Sequence, residues 1–267
     1  MQPQDHSVLL ERIKEVLANE TIRQVVAEDY TRFFQQLGVA PFMASALAND
    51  TLLCLERPGW DLRRTEHEIY RNLRAMPAET KYIGAATVGD SFADMLQRRA
   101  KAFSGQIMVR MMDMKGGSVA NISPHHERLV SNRNDLKVTE SENTDGLSGS
   151  FSAAVLNNVL HHEAPERADE ILRSVSSKVT DRLVVLENTT VGKTPDEQAQ
   201  DRAVQFMHEY LFHRLLQDPA THDTPLPGNY DTAEGWTQRI EEAGWRLNYR
   251  ESHFMEPHHT VLVFEKD

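Results

Sequence analysis

Residues 151–188 read FSAAVLNNVLHHEAPERADEILRSVSSKVTDRLVVLEN, and this stretch decides the fold. Phe151, Ala153, Ala154, Val155 and Leu156 form an apolar run that ends in Asn157-Asn158. Ala168, Ile171, Leu172 and Val175 then recur at helical spacing, and a second apolar run, Leu183-Val184-Val185-Leu186, closes in Glu187-Asn188. Continuous runs of this length suit strands buried on both faces of a parallel sheet. One helix between two such strands makes a βαβ unit. Ligands of open α/β sheets bind outside the carboxyl ends of the strands. That edge is where Asn157, Asn158, His161, His162, Glu187 and Asn188 fall.

Upstream, residues 1–78 show helical patterns only. Leu9, Leu10, Ile13, Val16 and Leu17 make one stripe, and Thr21 to Leu37 a second helix that Gly38 ends. Phe42 to Leu55 reads as a helix or a helix pair interrupted near Asn49-Asp50, and Thr65 to Met76 as a further helix. The character changes at Glu79, so the expected division is a helical cap over 1–78 and an α/β domain over 79–267. Lys81 to Gly84 is a short strand leading to a turn, Phe92 to Phe103 a helix, and Gln106 to Met112 a second strand ending at Asp113. Lys115 to Asp135 reads mostly as loop, and Leu136 to Thr139 as a third strand.

Downstream, Thr194 to Leu216 is a long helix. Asp231 and Glu234 have the form of a capping box opening a helix that Gly244 ends. Trp245 to Glu251 and Thr260 to Phe264 read as an antiparallel pair. The fold class is α/β: a mostly parallel sheet with an antiparallel carboxyl-terminal edge.

The net charge of −11 argues against an extended nucleic-acid surface. The single Cys54 rules out an internal disulfide. No apolar run reaches the roughly 18 residues of a membrane span, and the first residues show no basic-then-apolar leader. The expectation is a soluble cytoplasmic protein without a membrane or nucleic-acid partner. A homodimer is compatible with the chain.

Gly84-Ala85-Ala86-Thr87-Val88-Gly89 is a glycine-bounded turn at the start of a helix, a place where backbone can approach a ligand. Asp90-Ser91 follows where a phosphate loop requires Lys-Ser or Lys-Thr, which excludes that motif, and the spacing is not that of a dinucleotide fingerprint. Asp113, with Met114 beside it, stands at the end of the expected second strand, where an acid can accept ribose hydroxyls. His125-His126, His161-His162 and His258-His259 are adjacent pairs whose members point in different directions, so no metal is expected. His162 can serve as a general base near neutral pH or can pack at the strand end. Tyr30, Phe33, Phe34, Tyr70, Phe206 and Tyr210 lie at spacings that suit core packing or a pocket for a sulfonium.

The strand running into Asn-x-Val-Leu-His-His, followed by a helix and a strand ending in Glu, resembles the class I, Rossmann-like S-adenosylmethionine (SAM)-dependent methyltransferases from about Glu79 onward. Gly-Ser-Phe before the first strand and Ala-Gly-Trp before the last two agree with it. The resemblance implies a seven-stranded sheet and an enzyme that methylates a small molecule. It places Gly84, Ala85, Ala86 and Gly89 at the methionyl arm of SAM, Asp113 and Met114 at the ribose, Ser141 and Glu142 at the adenine, and Asn157 and Asn158 at the methionine pocket. His161, His162, Tyr210 and Tyr230 become the catalytic candidates. The turn departs from the family pattern: no acid opens it, and Val88 stands within it. Two alternatives therefore stay open, a SAM-consuming enzyme that moves the aminobutyrate arm and releases methylthioadenosine, and a non-catalytic binding protein.

Overall fold

The computed structural model describes residues 6–59, 61–78, 86–111, 114, 116–123, 128–130, 133–218, 226, 228–254 and 258–266. In chain order its helices are α1 (His6–Ala18), α2 (Glu20–Gln36), α3 (Pro41–Leu55), α4 (Leu62–Ala75), α5 (Val88–Val109), α6 (Pro165–Lys178), α7 (Pro195–Tyr210) and α8 (Ala233–Glu242). Its strands are β1 (Pro77–Ala78), β2 (Ala86–Thr87), β3 (Gly117–Ile122), β4 (Leu136–Ser141), β5 (Phe151–Asn157), β6 (Val179–Thr190), β7 (Asp231–Thr232), β8 (Trp245–Ser252) and β9 (His259–Lys266). The chain divides into two compact units. One is Met1–Gln97 with Thr194–Leu226, the other Arg98–Lys193 with Pro227–Asp267. The expected boundary after residue 78 thus lies inside the first unit.

The first unit is helical apart from the antiparallel pair β1–β2. Phe42 to Leu55 is one unbroken helix. Asn49 Nδ2 donates to the Ser45 carbonyl and Thr51 Oγ1 to that of Leu47, both at 2.8 Å, so these polar side chains bond back into α3 and do not end it. Tyr30 of α2 donates to the Met207 carbonyl of α7 at 2.8 Å. Beyond Tyr210 the helix widens into a π turn, Leu211–Leu215. Tyr210 and Arg214, four residues apart, both meet Glu66 of α4. The phenol donates at 3.1 Å, and the guanidinium forks onto the carboxylate at 3.3 and 3.1 Å. Glu66 and Arg214 are at most 1% exposed.

The second unit is built on a seven-stranded sheet of order β4-β3-β5-β6-β9-β8, with the two-residue β7 pairing the far end of β6. The pairs β4–β3, β3–β5, β5–β6 and β6–β7 are parallel, and β6–β9 and β9–β8 antiparallel. This is the expected α/β, Rossmann-like architecture with an antiparallel edge. Both faces are covered, which is why the strands read as continuous apolar runs. Ala154, Leu156, Leu183, Val185, Leu262 and Phe264 share one core cluster with the α6 stripe and Trp236. Their neighbours Ala153, Val155, Val184, Leu186, Val261 and Val263 share the other, with Phe103, Ile107 and Met111. At the open edge, β8 carries alternating charge. Arg246 pairs with Glu265 at 3.3 Å, Arg250 with Glu234 at 2.6 Å, and Glu251 with Arg110.

Three expectations are corrected. Gln106 to Val109 is not a strand; it continues α5, because Phe103, Ile107 and Met111 repeat every four residues and are all buried. The stretch after Lys115 holds a strand, β3, that the sequence did not show. The cap of α8 is Thr232, whose Oγ1 accepts from Gly235 N at 2.9 Å, one residue after Asp231. Lys81 to Gly84, Ala85, Asp113 and Met255 to Pro257 lie outside the described residues.

Removing one partner of a buried ion pair strands the other charge, at a cost of about 3–5 kcal/mol. Glu66→Ala is therefore expected to lose about that much, and the double variant Glu66→Leu/Arg214→Met to recover most of it. Denaturant midpoints of the three proteins measure the difference.

Candidate functional site at the carboxyl ends of the strands

The order β4-β3-β5 reverses direction at β3, which makes the carboxyl ends of β3, β4 and β5 the ligand edge of the sheet. Two structures stand there. The first is a cleft of about 490 Å³ beyond β3 and β4, within the size range of small-molecule sites. It is lined by Ser123 and Arg128 on one segment and by Glu140, Ser141, Glu142, Asn143 and Gly146 on another. Ser123 N donates to the Ser141 carbonyl at 3.0 Å, extending the parallel ladder by one bond past Ile122. The segment 143–147 is fixed internally. Asn143 Oδ1 accepts from the amides of Asp145 and Gly146 at 3.1 Å, and Lys178 Nζ donates to the carbonyls of Thr144 and Leu147 at 2.9 and 3.0 Å. Glu140 braces β3 and the segment of Leu129. Its Oε2 accepts from buried Asn121 Nδ2 at 2.6 Å and its Oε1 from Leu129 N at 3.0 Å.

The second structure is the turn leaving β5. Asn157 is fully buried, and Asn158 takes the left-handed conformation (φ 52°), its N–H donating to the Leu186 carbonyl at 2.9 Å. Leu160–His162 forms a single 3-10 turn. Its amides converge on Glu187 at the end of β6. Val159 N and Leu160 N donate to Oε1 at 2.9 and 2.7 Å, and His161 N to Oε2 at 3.4 Å. The His161 ring adds Nδ1 to the same carboxylate at 2.5 Å. Glu187 is 0% exposed, so these contacts satisfy a carboxylate that water does not reach. The His161 ring also stacks on Tyr230 at 5.4 Å and lies 4.1 Å from that of His162.

Of the residues singled out in the sequence, Ser141 and Glu142 line the cleft, Asn157 and Asn158 end β5, and His161, His162 and Tyr230 gather at the Glu187 turn. Tyr210 belongs to the helical unit, where its hydroxyl is given to Glu66. Burial first, and then the Glu66 charge, holds its pKa well above the ordinary phenol value, which removes it as a proton acceptor. Ala86 and Gly89 belong to the β2 ribbon and the first turn of α5, not to a turn of the seven-stranded sheet. A Cβ on Gly89 would stand 2.6 Å from Arg74 Nε, so the bare position makes room for an arginine. The α5 terminus is capped from within, Thr87 and Asp90 bonding each other reciprocally. Met114 precedes β3, at the opposite end from the ligand edge, with its carbonyl accepting from Arg133 at 2.7 Å. Sequence reasoning missed Ser123, Arg128, Asn143 and Gly146. The usable sign was a five-residue stretch, Ser118 to Ile122, between Gly116-Gly117 and Ser123-Pro124, breakers that bracket a strand.

No protein-family model matches the sequence, and no curated protein matches it. Among solved structures it is similar to TnmH (16% identity, 67% of this chain and 58% of that chain, TM-score 0.40). It is similar also to an O-methyltransferase family protein from Burkholderia thailandensis (12%, 67% and 60%, TM-score 0.41). A third is an O-methyltransferase family 2 protein from Planctomyces limnophilus in complex with apigenin (10%, 85% and 70%, TM-score 0.42). The chain spans less than two thirds of the length of the first two. These likenesses concern the course of the backbone alone.

An amide left without an acceptor in the interior costs about 1–3 kcal/mol. Glu187→Ala, which orphans several, is expected to destabilise the protein by roughly 3 kcal/mol or more, and Glu187→Gln by clearly less. Chemical denaturation followed by far-ultraviolet dichroism reads both.

Proposed function

We propose that the protein is a SAM-dependent methyltransferase acting on a small-molecule acceptor, with the adenosyl part of SAM held in the cleft beyond β3 and β4. The cleft carries this reading: it sits at the reversal point of a parallel sheet, has the volume of a nucleoside site, and offers the Glu142 carboxylate beside hydroxyl and amide groups. In strand order β4 takes the place that the sequence alone gave to Gln106–Met112, so its terminal acids replace Asp113 as the ribose acceptors. Glu140 accepts from Asn121 and Leu129, and the ribose is assigned to Glu142, which lines the cleft. When bound, SAM supplies an electrophilic methyl group. The chain's part is to position both reactants and, for a hydroxyl or amine acceptor, to take a proton. His161 suits that part best, because a proton on Nδ1 shared with Glu187 makes Nε2 the basic atom of the ring.

A second reading rests on one observation. β3 is followed by Ser123-Pro124, without the glycine turn of the resembled family, so a non-catalytic binder or an enzyme that moves the aminobutyrate arm stays in play.

Calorimetry with S-adenosylhomocysteine is expected to show micromolar binding by the wild type. Glu142→Ala should weaken it about ten- to a hundredfold, the worth of hydrogen bonds to a charged group, without a change in melting temperature. No binding at millimolar ligand rejects the cofactor assignment. Release of methylthioadenosine in place of S-adenosylhomocysteine during turnover rejects methyl transfer. A His161→Gln variant with unchanged binding and unchanged turnover removes His161 from the proton-accepting role.

A further inference from the structure

We infer that Tyr230 is a positioning residue whose ring, not its hydroxyl, sets the plane of the His161 imidazole; this rests on His161 being the proton acceptor. One hydrogen bond fixes one atom of a ring. Glu187 holds His161 Nδ1 at 2.5 Å, which leaves the imidazole able to swing about that contact. A second hold is needed before Nε2 points in one direction, and the Tyr230 ring supplies it. The two rings are stacked, with centroids 5.4 Å apart and planes only 24° from parallel, inside the range of favourable aromatic pairs. His161 is 1% exposed and Tyr230 5%, so water does not compete for the shared faces. The His162 ring, tilted by 41° at 4.1 Å, belongs to the same 3-10 turn and moves with it, so it gives no independent reference.

Tyr230 reaches His161 from outside that turn. Asn229 N donates to the His161 carbonyl at 3.1 Å, which ties the segment carrying Tyr230 to the backbone of the residue it stacks on. The next two residues, Asp231 and Thr232 of β7, pair in parallel with Thr189 and Thr190 of β6. Glu187 stands on that same β6, two residues before Thr189. One strand therefore aligns both holds: it carries the carboxylate that takes Nδ1, and it seats the short strand that brings the ring. A proton acceptor is effective only when its lone pair is aimed at the proton it takes. Phenylalanine would present the same face at position 230, and an aliphatic side chain would not.

Long-range proton–nitrogen spectra of protein labelled at the histidine nitrogens read both nitrogens of each ring, with His161 assigned among the 12 histidines through His161→Gln. At a pH where the ring is neutral, the wild type should show the Nδ1-protonated form. Its His161 ring protons should be shifted upfield by the Tyr230 ring current and should cross-relax with the Tyr230 ring. Tyr230→Phe should keep all three signatures. Tyr230→Leu should lose the upfield shift and lower the ratio of Nδ1-protonated to Nε2-protonated ring about two- to tenfold, the worth of one stacked pair. An unchanged ratio in Tyr230→Leu, or a Tyr230→Phe spectrum altered as much as that of Tyr230→Leu, overturns the positioning role and leaves His161 as the base. A wild type without the ring-current shift and cross-relaxation overturns it too, and that measurement needs no variant to fold. A wild-type ring protonated at Nε2 has no basic atom there, so the proton-acceptor reading falls and the inference with it.

Discussion

A carboxylate with no access to water holds the ligand edge of the sheet together. Glu187 ends the apolar part of β6 and gathers three consecutive amides and an imidazole from the turn after β5. An ionised carboxylate is costly to bury unless its lone pairs are filled, and a turn with three inward amides is equally costly without an acceptor. Each defect cancels the other. The exit of β5, the left-handed Asn158 and the orientation of His161 follow from that one arrangement.

The core of the fold could be read from the sequence because β5, α6 and β6 have an apolar pattern that few architectures can bury. Alternate residues of each strand fall into opposite clusters, so no polar position was available to blur the runs. The first half of the sheet was harder. Ile107 belongs to the buried stripe of a 22-residue helix that Met111 continues just past its end, and the seven-residue window Gln106 to Met112 looks like a strand. β3 has a buried asparagine at its fifth position, and its contact with Glu140 helps a polar residue to be tolerated inside the sheet.

The site was legible where it depended on strand ends and illegible where it depended on which strands pair. Leu136 to Thr139 was recognised as a strand, and Ser141, which ends β4, and Glu142, which follows it, both line the cleft. Ala86 and Gly89 were assigned to the sheet because glycine suggests a close approach, and a close approach does exist, to Arg74. The glycine at the sheet is Gly117, with φ 134° and a Cβ that would fall 2.2 Å from Ser152 Oγ of β5. Its neighbour across the pair is a strand, a fact no single sequence window contains.

The charges along β8 have a bearing on solubility. An outermost strand offers its unpaired backbone groups to any passing strand, and flat apolar edges of this kind nucleate aggregates. Here Arg246, Arg250 and Glu251 are held in ion pairs along that margin. A second molecule adding to the ladder would have to strip water from several ions for each backbone bond gained. The sheet is self-limiting at that border, and growth beyond β8 is disfavoured by the same side chains that hold the strand in place.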